Sequence, residues 1–115
     1  MKSGRENEVE NEDLKVPENL SLDGIVACGA IIRLAQRHRM TFTGGCKAFY
    51  SPKEWEERGE SYGCDSELVV VYDGSELSQL CRFDGDLYGE MRRELEKLGL
   101  WIDECMSWYA AVYKL

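Results

Sequence analysis

The chain has 115 residues but a single histidine, His38, and it lacks most of the motifs that announce an enzyme. There is no Walker loop, Rossmann glycine set, Gly-x-Ser-x-Gly elbow or His-Glu-x-x-His motif, so the sequence indicates no catalytic residue, no cofactor and no metal ligand. No stretch approaches the ~18 apolar residues of a membrane span, and the first residues lack the apolar segment of a secretion signal. These absences predict a cytoplasmic protein without membrane contact.

The five cysteines also lack the spacing of a known site. They form an odd set with no pair closer than seventeen residues, which excludes a Cys-x-x-Cys zinc motif and does not suggest a disulfide framework. We therefore expect free thiols that pack as small apolar side chains. One alternative is a nucleophile pair in which the fold brings Cys64, from a polar loop, beside His38.

Positive charge is scarce as well. The formal net charge is -8, and it divides into -4 for residues 1–23, +3 for residues 24–39 and -7 for residues 40–115. Such a chain repels nucleic-acid phosphates, so direct nucleic-acid binding is not expected. An acidic surface attracts a basic groove on another protein, although an acidic balance can also serve solubility alone.

Residues 67–74 (ELVVVYDG) are the stretch around which the chain is organised. Four consecutive aliphatic residues followed by Asp-Gly predict a central strand that is covered on both faces and ends sharply. Residues 1–20 are polar and acidic, which predicts a flexible tail before a single domain at 21–115.

Helix signals surround this strand. Ser21 is the expected N-cap of a helix that ends near Arg39, and Ser51, Pro52 and Glu54 form a capping-box pattern for a short helix anchored by Trp55. Residues 75–80 fit a loop or short helix, although Leu77, Gln79, Cys81 and Phe83 also fit one side of a strand. An apolar face predicts an amphipathic helix at 87–98 capped by Asp86.

Strand signals complete the domain. Short runs flanking Gly44-Gly45 predict a hairpin, and residues 100–105 and 108–113 predict two closing antiparallel strands. If residues 69–71 and 100–105 pair in parallel, the intervening helix completes a β-α-β unit. The expected fold class is α+β, with a single mixed or antiparallel sheet of three to five strands, two main helices and one short helix.

The acidic residues around the central strand allow two interpretations. Carboxylates at strand ends can hold a hard metal ion such as magnesium, but an acid beside a glycine is also an ordinary turn residue, which is the favoured explanation. The residues concerned are Asp65, Glu67, Asp73, Glu76, Asp84 and Asp86.

A resemblance to a known class rests on five segments. They are residues 49–55 (FYSPKEW), 58–60 (RGE), 62–63 (YG), 66–74 (SELVVVYDG) and 108–109 (WY). Together they resemble small uncharacterised proteins of phages and other mobile elements over roughly residues 48–113. The resemblance implies an accessory protein that inhibits a host defence system, as anti-CRISPR proteins do, and it would then act in the host cytoplasm. It implies no catalytic residues.

Two functional hypotheses follow. The first is a non-enzymatic inhibitor whose acidic surface binds a basic, nucleic-acid-binding groove on a host protein. The alternative is a small metal-dependent hydrolase or nuclease that uses the strand-end carboxylates. Aromatic closing strands with an exposed edge also allow a homodimer. The partner-binding residues predicted by the first hypothesis are Glu56, Glu57, Glu60, Asp65, Glu76, Asp84 and Asp86.

Overall fold

The computed structural model describes residues 15–40 and 47–115, which form an α+β domain around one antiparallel sheet. The order of the four strands in the sheet is β1-β2-β4-β3. Along the chain the elements are α1 (Leu22–Arg37), β1 (Phe49–Tyr50), α2 (Pro52–Glu57), β2 (Leu68–Val71), α3 (Ser78–Cys81), α4 (Tyr88–Lys97), β3 (Leu100–Met106) and β4 (Tyr109–Lys114). The expected fold class is confirmed.

Strand β2 lies inside the sheet, as its unbroken aliphatic run predicts. All four of its residues are buried, and it pairs with β1 on one side and β4 on the other. The predicted antiparallel pairing of β3 with β4 is also present. The parallel pairing that would complete a β-α-β unit does not occur, because β4 lies between β2 and β3. The predicted hairpin around Gly44-Gly45 lies largely outside the described residues.

Helix α1 begins at the predicted cap and approaches the sheet closely. The Ser21 hydroxyl accepts a hydrogen bond from the Gly24 N–H at 3.0 Å and donates one to the Glu67 carboxylate beside β2. A Cβ on Gly24 would lie 2.4 Å from the Glu67 carbonyl oxygen, so only glycine permits this approach. The cap therefore fixes both the start of α1 and its contact with β2.

Helix α2 forms for the local reasons visible in the sequence. Ser51 Oγ accepts from the Glu54 N–H at 3.1 Å, and the Glu54 carboxylate accepts from the Ser51 N–H at 2.9 Å. Pro52 occupies the first turn, and Gly59 follows the helix with a φ of +89°. Trp55 is completely buried, which confirms its role as the anchor.

The predicted start of α4 is wrong in one respect. The helix begins at Tyr88 after Leu87, and Asp86 makes no side-chain cap. Its N–H instead donates to the Gln79 side chain at 3.3 Å, and Gly85 approaches the Gln79 carbonyl so closely that a Cβ would lie 2.4 Å from it. This tight packing of the turn against α3 determines where the helix starts. Met91 and Leu95 are buried as expected.

The two faces of the sheet have different coverings. The helix face packs against α1, α3 and α4 and carries Phe49, Leu68, Val70, Leu100, Ile102, Ala110 and Val112. The register places the other alternating residues on the opposite side, here called the aromatic face, which carries Tyr50, Val69, Val71, Trp101, Asp103, Tyr109, Ala111 and Tyr113. No helix within 15–40 or 47–115 is long and apolar enough to cross a membrane.

Candidate functional site

An acidic cleft of about 650 Å³ opens on the aromatic face, beside β3. One wall is the loop of residues 61–65. The other is formed by Asp103, Glu104, Cys105, Met106 and Tyr113. This acidic cleft is the candidate site, because it combines concavity, aromatic surface and several carboxylates.

Buried aromatic side chains hold the loop wall in place. The Tyr62 carbonyl accepts one hydrogen bond from Trp55 Nε1 at 3.0 Å and another from the Tyr109 hydroxyl at 3.1 Å. The Ser66 hydroxyl donates to the Gly63 carbonyl at 2.6 Å. These bonds fix the loop backbone while the Tyr62 side chain stays 61% exposed and Asp65 stays exposed at the rim.

The strand wall is the end of β3, where pairing with β4 becomes irregular. The register shifts between Glu104 and Met106, which leaves Cys105 without a partner on β4. Asp103 and Glu104 precede this bulge and both belong to the lining of the cleft, but alternation along β3 places Asp103 on the aromatic face and Glu104 on the helix face. The Glu104 carboxylate also accepts the Phe83 N–H at 2.7 Å, which joins the turn before α4 to the site.

Tyr113 connects the two walls. Its hydroxyl lies close enough to the Asp65 carboxylate of the loop for Asp65 to help raise the pKa of Tyr113. Its ring stacks on Trp101 with centroids 5.0 Å apart and an interplanar angle of 23°. The cleft therefore continues into an aromatic ledge, defined here as Trp101 and Tyr113.

Burial and the surrounding carboxylates both raise the pKa values of the cysteine and tyrosine side chains in the cleft. Burial, then Asp103 and Asp65, raise the pKa of the Cys105 thiol to about 11. The pKa of Tyr113 is raised by burial and then by Cys105, Asp65 and Asp103. The pKa of the Cys64 thiol is also raised, by burial and by its acidic neighbours. The cleft therefore disfavours negative charge and favours a cation.

The Cys64–His38 nucleophile pair finds no support in these contacts. The Cys64 thiol donates to the Glu60 carbonyl at 3.1 Å, and its raised pKa keeps it protonated at neutral pH. His38 follows α1, and its Nε2 lies 2.9 Å from Oε1 of Glu90 in α4. Cys28, Cys64, Cys81 and Cys105 are free thiols, as expected.

The predicted partner-binding residues lie at the surface but do not all meet at one place. Six are exposed and Glu60 is half-buried, with an Arg58 nitrogen 3.7 Å from its carboxylate. Asp65 alone lines the acidic cleft, while Glu56 and Glu60 stand close enough to act on the Cys64 pKa. The six exposed residues are Glu56, Glu57, Asp65, Glu76, Asp84 and Asp86.

The strand-end carboxylates are not arranged as the metal hypothesis requires. Glu67 and Asp73 flank opposite ends of β2, and six residues of extended chain separate them by roughly 20 Å. Asp84 is engaged by Arg82, with Nε 3.2 Å from Oδ1. In the part of the chain that the structure describes, no group of three or more His, Cys, Asp or Glu side chains could hold a metal ion.

Sequence reasoning missed Asp103 and Glu104 as site residues. The signal was available, because alternation along the predicted strand places Trp101 and Asp103 on the same face, and a charged residue inside a strand needs solvent or a partner. The convergence of Asp103 with the loop of residues 61–65 depends on the sheet order, which local sequence does not specify.

Comparison with family models, curated proteins and solved structures finds no match for this chain.

Proposed function

We propose that this chain is a non-enzymatic accessory protein of the phage type, which binds a basic surface of a host-defence nucleoprotein such as a CRISPR effector and inhibits it. The observation that carries the proposal is the convergence of Asp65 and Asp103 at the acidic cleft. Neither takes part in an ion pair among the described residues. Their charge is therefore available to a partner.

The wider charge distribution supports the same function. Residues 40–115 carry -7, and the predicted contact acids Glu56 and Glu57 are exposed on α2. An acidic protein competes with nucleic acid for a basic groove, because both present a dense array of negative charge. Occupying such a groove blocks a nucleoprotein without any catalytic chemistry.

The test measures cleavage by purified effector nucleoproteins from the native host, and their binding to the chain, at low and high salt. Inhibition that weakens steeply as salt rises is expected for an electrostatic contact. The double variant Glu56→Lys with Asp65→Lys should lose inhibition. A matched control, Glu94→Lys with Glu96→Lys, makes the same change in net charge on the outer side of α4 and should inhibit nearly as well as the native chain.

Two results would contradict the proposal. Inhibition that does not respond to salt would remove electrostatic mimicry as the mechanism. Equal loss in both double variants would show that net charge matters and the acidic cleft does not.

A further inference from the structure

The aromatic face is closed over one half and open over the other. On the closed half, α2 and the loop of residues 61–65 cover Val69, Val71 and Tyr109, with Trp55 completely buried among them. On the open half, Trp101 is 37% exposed beside Tyr113, and Asp103 is exposed next to them. None of the helices in the described ranges covers the aromatic ledge.

The closed half shows how this face binds cations. The guanidinium of Arg58 lies 4.7 Å from the centroid of the Trp55 ring and 5.3 Å from that of Tyr50. Lys47 Nζ lies 4.8 Å from the Tyr50 centroid. The chain therefore places its own cations over these rings, an arrangement whose attraction comes from the negative face of the π-system.

The open half has the same kind of ring and carboxylates beside it. Within 15–40 and 47–115, no basic side chain stacks on Trp101 or Tyr113. Asp103 lies beside these rings on the same face, and Asp65 is close enough to the Tyr113 hydroxyl to help raise its pKa. Rings and carboxylates are thus arranged for a cation that the described part of the chain does not supply.

We propose that the aromatic ledge and the acidic cleft bind an arginine side chain from a basic segment of the partner protein. The guanidinium stacks on Trp101 and its N–H groups reach the carboxylates of Asp103 and Asp65. Arginine suits this site better than lysine, because its planar head can stack on a ring and donate to a carboxylate at the same time. The inference rests on the proposed function, for which it names the recognised group.

Charge selects this occupant over two others. A nucleic-acid phosphate would meet Asp65, Asp103 and Glu104, which repel it. A second copy seated face to face would bring Asp103 towards its own counterpart, which places like charges together. A basic protein segment alone complements both the charge and the exposed rings.

The test uses a fluorescein-labelled peptide of alternating arginine and glycine at low salt, with binding followed by fluorescence anisotropy. Matched peptides carry lysine, or neutral citrulline, in place of arginine. We expect the arginine peptide to bind, the lysine peptide to bind several-fold more weakly and the citrulline peptide not to bind measurably.

Variants locate the site. Trp101→Ala and Asp103→Asn should each weaken the arginine peptide by roughly tenfold, since each removes one contact with the guanidinium. Trp101→Phe keeps a ring and should lose less. The controls Leu98→Ala and Glu96→Gln alter an exposed apolar residue and an exposed acid outside the cleft, and they should bind like the native chain. Circular dichroism establishes that each variant is folded.

Equal binding of the arginine and citrulline peptides, no binding at all, or unchanged affinity in Asp103→Asn would overturn the proposal. A dimer in solution that Trp101→Ala converts to a monomer would also overturn it, because the occupant would then be a second copy. If effector inhibition is lost in the Glu56→Lys/Asp65→Lys variant but persists in Trp101→Ala, the proposed function stands and the arginine site fails. If the peptide results hold and no effector is inhibited, the proposed function fails and the arginine site stands.

Discussion

The two halves of the aromatic face carry similar side chains, which are buried on the closed half and exposed on the open half. On the closed half, Trp55 is completely buried and Arg58 lies over its ring. On the open half, Trp101 is 37% exposed over Tyr113, and the nearby Asp103 forms no ion pair within residues 15–40 and 47–115. The difference shows that burial, and not residue type, separates a structural tryptophan from one available for recognition.

The largest effect on the free energy of unfolding is expected when Trp55 and Trp101 are each replaced by alanine in separate variants. Trp55→Ala should cost about 3–5 kcal/mol in the free energy of unfolding, because it empties a closed site and removes the indole that bonds to the Tyr62 carbonyl. Trp101→Ala should cost less, about 1–2 kcal/mol, since 37% of its surface is already in water. Urea unfolding of both variants measures the contrast, and equal costs would erase the distinction between the halves.

Alkaline pH should destabilise the fold through the thiols of both the core and the cleft. Burial raises the pKa of Cys28 from 9.0 to about 12, whereas that of Cys105 rises to about 11. Above about pH 9 the unfolded chain loses its thiol protons before the folded chain does, so the free energy of unfolding falls as the pH rises. Thermal unfolding from about pH 8 to about pH 10.5 should show this loss.

Two replacements give the corresponding controls. Cys28→Ala and Cys105→Ser should each flatten the decline in melting temperature, and to a similar extent, because both folded-state pKa values lie above this pH range. An identical slope in the native chain and in Cys28→Ala would show that the buried thiol has no part in the alkaline loss.

Loss of a helix cap should have a smaller effect on the free energy of unfolding. The cap of α2 is tested because this helix precedes the loop wall of the cleft. Ser51→Ala should cost about 1 kcal/mol, because it leaves the Glu54 N–H of α2 without its acceptor. Asp86→Ala should be nearly neutral, since only the backbone N–H of Asp86 makes a bond to Gln79. Chemical denaturation distinguishes the two, and a cost at Asp86 as large as that at Ser51 would restore it as a helix cap.

The smallest effect is expected at Arg58, which supplies the cation over the closed half. Arg58→Ala should cost roughly 0.5–1 kcal/mol through loss of the contact with Trp55 and Tyr50. Arg58→Lys should recover only part of that loss, because lysine lacks the planar head. A neutral Arg58→Ala would mean that stacking contributes nothing here and would weaken the parallel drawn for the open half.

The sequence by itself determined the elements whose signals are local. The valine run of β2, the capping box of Ser51 and Glu54, and the pairing of β3 with β4 follow from side-chain shape, turn chemistry and a short connection. Asp65 was predicted for the site because it lies in a polar loop. Helix propensity and turn chemistry act over a few residues, so they can be read without the fold.

Only the tertiary structure decided which residues share the cleft. Asp65 and Asp103 are brought together across about forty residues of sequence by two features: the insertion of β4 between β2 and β3, and the bonds from Trp55 and Tyr109 to the Tyr62 carbonyl. The turn at Gly85 and Asp86 packs tightly against Gln79 of α3, and this packing also determined that α4 starts after Leu87 without a cap from Asp86. Contacts between distant segments depend on strand order and register, and no local pattern encodes them.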